Sequence, residues 1–234
     1  MTDVHLLLHG PDKYYMVRVG DFATSGNNKL LFSIVSVALC AEEYFARGTT
    51  DCTAIMAGGA ATWTVVEYML HMSGTRVIRP MYVVGPLGTK IQLSRCTGVI
   101  LQGMQEGGFV ATAGLYFGDR LTDPKYFAGL HVLIVTIVAT LFVKKRCVGA
   151  ETERVASRRQ VNAPGSVAAM SCATLFNAHA LITDTDSVHR VIPMFCVMVY
   201  ICAIWTLCAW FRGFRRVEVE SYGTARPGTP ANTL

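Results

Sequence analysis

The stretch YFAGLHVLIVTIVATLFV at positions 126–143 decides the class of fold, because its 18 residues include no Asp, Glu, Lys or Arg. As an α-helix it rises about 27 Å, close to the roughly 30 Å hydrocarbon thickness of a bilayer. A second stretch, VIPMFCVMVYICAIWTLCAWF at 191–211, is equally free of charge. Working outward, four weaker windows share this character: 30–45, 53–72, 98–117 and 165–183. Three of the four carry carboxylates, namely Glu42 and Glu43, then Glu67, then Glu106.

The composition agrees with these windows. The chain of 234 residues is 52% hydrophobic and 16% charged, with a formal net charge of +5, and its mean hydropathy is +0.37. Such a balance argues against a disordered chain, which needs low hydrophobicity. It also argues against a nucleic-acid partner, whose binders gather basic residues on one polar face. The eight cysteines contain no C-x-x-C pair, and no N-x-[ST] sequon occurs, so neither a thiolate metal site nor N-glycosylation is signalled.

The lysines and arginines fix an orientation. All but four of the 21 lie before 30–45, between 53–72 and 98–117, between 126–143 and 165–183, or after 191–211. The four exceptions are Arg47, Arg120, Lys125 and Arg190. Basic residues collect on the cytoplasmic side, so the alternation predicts an all-α, polytopic bundle of six transmembrane helices with both termini cytoplasmic. The division that follows is a cytoplasmic N-terminal segment over 1–29, the bundle over 30–211 and a disordered tail over 212–234. YYMVRV at 14–19 is either a short strand or an interfacial segment. The polar, basic loop 149–164 is either flexible or laid on anionic headgroups.

Ionisable groups inside hydrocarbon mark functional sites, since each costs roughly 2.5–3.5 kcal/mol on insertion scales. Glu106 is the sharpest case. It follows Gln102 by four residues, placing both on one helix strip, and Gly103 and Gly107 form a GxxxG beside them that admits a neighbouring helix. Glu67 and His71 form a second pair four residues apart, toward the cytoplasmic end of its window. A carboxylate so placed orients an imidazole or stabilises its charged form. Glu42 and Glu43 are expected at the outer interface. Cys96 and Cys147, each beside basic residues, are candidate palmitoylation sites.

Trp63–His71 resembles the helix that opens the first histidine box of the membrane fatty-acid hydroxylases. That family holds two irons on clustered histidines, and such clusters would carry HxxxH or HxxHH spacing. HxxHH does not occur, and the one HxxxH, His5 to His9, lies far upstream of this piece, so the resemblance brings no clustered ligand set. G-x-S-x-G, H-E-x-x-H and P-loop templates are also lacking. No metal or cofactor is therefore expected. The expected partners are the lipid bilayer and other membrane proteins or further copies of the chain. The function expected is non-enzymatic, organising a membrane or a membrane complex. The alternatives are a small transporter or channel using Gln102 and Glu106, and a lipid-modifying enzyme using Glu67 and His71.

Overall fold

The computed structural model describes residues 12–19, 25–72, 76–78, 80–143, 155–160 and 185–221. Most of these are helical. Helix α1 spans Gly26–Arg47 and α2 spans Asp51–Met72. Next comes a rod made of α3 (Arg95–Gly103), a π-helical turn (Met104–Phe109) and α4 (Val110–Gly118). Then follow α5 (Pro124–Val143) and α6 (Thr185–Phe211). Five of the six windows thus form helices, and the sixth, 165–183, lies outside the described residues.

Two of these helices are long and apolar enough to cross a membrane: Pro124–Val143 and His189–Phe211. Their burial is low, 22% and 17% of the best apolar window. The core helix of a soluble domain would hide most of its surface. Here Val132, Val135, Phe142, Ile192, Phe195 and Leu207 all face outward.

The interior is built around α4. Every residue from Ala111 to Gly118 is buried. Phe109 and Leu115 meet Phe32 of α1, Ile55 of α2, Ile134 of α5 and Met194 and Val197 of α6 in one apolar cluster. Small residues set the helix spacing. A Cβ on Gly114 would lie 2.5 Å from Met198 Cγ, and one on Gly118 would lie 2.7 Å from the Met194 nitrogen. At the end of α1, Gly48 takes φ 71° and donates its N–H to the Tyr44 carbonyl at 2.8 Å, the left-handed stop that glycine makes without strain.

The strands are what hydropathy did not announce. A four-stranded antiparallel sheet runs in the order β2 (Arg76–Ile78), β5 (Val155–Gln160), β1 (Asp12–Val19), β6 (Arg215–Ser221). A separate hairpin pairs β3 (Tyr82–Val84) with β4 (Lys90–Gln92). Segment 14–19 therefore resolves as strand, and part of loop 149–164 is strand as well. The expectation of a disordered tail from Arg212 is corrected at its start. Arg215–Ser221 alternates along a pleat, and pairing with β1 satisfies its backbone despite its charges. All six strands among the described residues belong to the basic segments. They attach to the N-terminal ends of α1 and α3 and the C-terminal ends of α2, α5 and α6, so the sheet caps one end of the helices.

Candidate functional site

The rod bends its hydrogen-bond ladder where Glu106 sits. π-helical turns are rare and cluster at functional positions. The backbone reason lies in the glycines. Gly103 and Gly107 let the rod touch α2 directly: a Cβ on Gly103 would lie 2.7 Å from the Ala60 carbonyl, and one on Gly107 would collide with the Gly59 carbonyl. The GxxxG read from sequence is thus a backbone-to-backbone contact with α2.

Glu106 is held on both oxygens. Its Oε1 lies 2.8 Å from Nη1 of Arg18, which β1 brings in from the N-terminal segment. Its Oε2 accepts the indole N–H of Trp63 on α2 at 2.9 Å. The side chains of Arg18 and Glu106 are only 16% and 20% exposed. Burial opposes the charge of Arg18, but Glu106 and, more weakly, Glu67 outweigh it, so its pKa stands above the ordinary arginine value. Arg215, directly opposite Arg18 in the sheet register, donates to Thr206 Oγ1 at 3.1 Å and lies over the Trp205 ring at 4.2 Å. One face of the sheet thus sends two arginines into the helices.

The other sequence-derived residues have different surroundings. Gln102 is buried at 5% exposure on α3, and the wider π turn loosens the i, i+4 alignment with Glu106. Glu67 is fully buried. His71, one turn further on, lines a cavity of about 200 Å³ between α2, the β3–β4 hairpin and the start of α3, shared with Met81, Gln92, Ser94 and Arg95. Glu67 is not part of that lining. Cys96 is an exposed free thiol, and Cys147 lies outside the described residues. Among the described residues no three His, Cys, Asp or Glu side chains gather as a metal site requires.

A second polar cluster closes the opposite end. Arg190, near the start of α6, grips Asp119 with Nη2 to Oδ2 at 2.7 Å and Nε to both carboxylate oxygens at 3.1 and 3.2 Å. Its Nη1 reaches Asp51, at the start of α2, at 2.8 Å. Glu43 departs from the interfacial expectation. It is 1% exposed, and its Oε2 accepts the Cys52 N–H at 2.7 Å, capping the N-terminus of α2 from α1. Arg120, 2% exposed, donates to the Tyr116 carbonyl at 2.6 Å and covers the Tyr116 ring at 4.1 Å.

Two contacts escaped the sequence reading. Arg18 counts in the sequence only among the basic residues that set the orientation, although it is the counter-ion of Glu106, and Trp63 figures there only as the start of the Trp63–His71 piece, although it donates to Glu106. Comparison with protein families, with curated proteins and with solved structures found no match.

Proposed function

We propose that this chain is a six-span integral membrane protein with both ends in the cytoplasm, and that it acts without catalysis, organising a membrane complex. Two features support the topology. Segments assigned to the cytoplasm by their basic residues supply every strand of the capping sheet. Segments assigned to the far side supply Asp51, Asp119 and Arg190, which meet in one ion cluster. The outward faces of α5 and α6 are apolar along their length and suit lipid or another membrane helix.

The observation that carries the functional reading is the state of Glu106. Arg18 and Trp63 each hold one of its oxygens, the arrangement of a structural ion pair. Such a carboxylate fixes one arrangement of β1, α2 and the rod. The test is reconstitution. Liposomes carrying the protein are expected to hold proton, sodium and chloride gradients as long as empty ones do. A flux abolished by Glu106→Gln would overturn the reading and favour the transporter alternative, for which the π turn beside a buried carboxylate speaks. The enzymatic alternative has less support, because His71 lines a cavity that Glu67 does not.

A further inference from the structure

The sheet ends at β6. Among the described residues β6 pairs with β1 on one side only, and a strand edge is a template for a further strand. Which backbone groups face outward follows from the register. Val19 donates its N–H to the Phe214 carbonyl at 3.0 Å, and the register continues Arg18↔Arg215, Val17↔Arg216, Met16↔Val217. In an antiparallel ladder, bonded and non-bonded pairs alternate. Phe214 therefore gives β1 its carbonyl, its own N–H going to the Ala209 carbonyl at 2.9 Å, and residues 216 and 218 turn both N–H and C=O toward β1. Val217 and Val219 turn theirs the other way, to the outer edge.

We propose that β6 is the edge through which two copies of this chain join, antiparallel, about a two-fold axis at Val217. This rests on the assembly reading and names the partner as a second copy. Outward-facing odd residues restrict self-pairing near the middle of the strand to three registers. Centring on residue 216 sets Arg216 against Arg216 of the other copy, and centring on 218 sets Glu218 against Glu218. Like charges directly opposite destabilise a ladder. Centring on Val217 sets Val217 against itself, with reciprocal N–H to C=O bonds. It also places Arg216 opposite Glu218 twice, as close non-bonded pairs where side chains approach best. Arg216 and Glu218 already form a pair within the strand at 2.8 Å, so the two copies would close a four-membered charge network.

The test measures the mass of the purified full-length protein in detergent by light scattering, over a range of concentrations. Wild type is expected at twice the chain mass. Glu218→Arg alone and Arg216→Glu alone each bring like charges together and are expected to raise the dimer dissociation constant at least tenfold. The double variant Arg216→Glu with Glu218→Arg restores opposite charges and is expected to restore the dimer, which also shows that the strand still folds. Val217→Pro removes only an outward N–H and is expected to give a monomer with unchanged helix content by circular dichroism. A monomeric wild type would overturn the proposal. So would a dimer indifferent to the single reversals, or a double variant as weak as the singles. Failure here leaves assembly with other membrane proteins standing, whereas a Glu106-dependent flux would remove that reading and leave the dimer standing.

Discussion

Arg18 of the first strand and Glu106 of the π turn lie 2.8 Å apart, side chains mostly shielded from solvent. The pair joins the capping sheet to the inside of the helical layer, so the position of one constrains the other.

Removing one member leaves a shielded charge unmatched. Breaking a buried pair in this way costs about 3 kcal/mol. Arg18→Gln is therefore expected to lower the unfolding temperature in detergent by several degrees. Arg18→Gln combined with Glu106→Gln is expected to lose less than the sum of the two single changes. Simple additivity would show that the two side chains do not interact.

The close approach of the rod to α2 gives a second expectation. Gly107→Ala places a methyl against the Gly59 carbonyl and 2.7 Å from Trp63 Cβ. Overpacking of this kind costs about 1–3 kcal/mol. Gly85→Ala meets nothing nearer than 3.6 Å and serves as the control. Thermal unfolding of the two variants side by side checks the ranking, and equal stabilities would contradict it.

Arg190 holds Asp119 through a forked contact that a lysine cannot reproduce. About a third of its side chain is exposed (34%), so solvent screening limits the loss on Arg190→Lys to about 1 kcal/mol. The loss is expected to shrink in high salt. A salt-independent change would point to packing instead of charge.

Topology has a direct check. In a variant with all cysteines replaced, a single cysteine at Leu87, the 95%-exposed tip of the β3–β4 hairpin, is expected to react with a membrane-impermeant maleimide only from the cytoplasmic side. One at Thr49, between α1 and α2, is expected to react only from the opposite side. Labelling of both from one side would refute the six-span arrangement.

Cys96 is exposed next to the start of α3. Hydroxylamine-sensitive acylation of the protein expressed in eukaryotic cells is expected to fall on Cys96→Ser. Unchanged acylation would assign the lipid elsewhere.

Most of the helices could be read directly, because apolar runs such as 126–143 leave few other options. The GxxxG at Gly103 and Gly107 was legible for the same reason: small residues at that spacing do one thing in a bundle. The strands were harder. Arg215–Ser221 and Val155–Gln160 are rich in charge and look like tails and loops until β1 is laid between them. Arg18 shows the limit most clearly. The alternation of Tyr15, Val17 and Val19 allowed a strand, but its neighbour Glu106 comes from tertiary placement, which local periodicity does not encode. Glu43 was misplaced because its partner is a backbone N–H at the head of the next helix, invisible to any count of side chains.

The sheet draws its strands from four separate parts of the chain, and β6 is the last of them to leave the ribosome. Until β6 emerges, β1 has a neighbour on only one flank, so the strand that carries Arg18 gains its second ladder only at the end of synthesis.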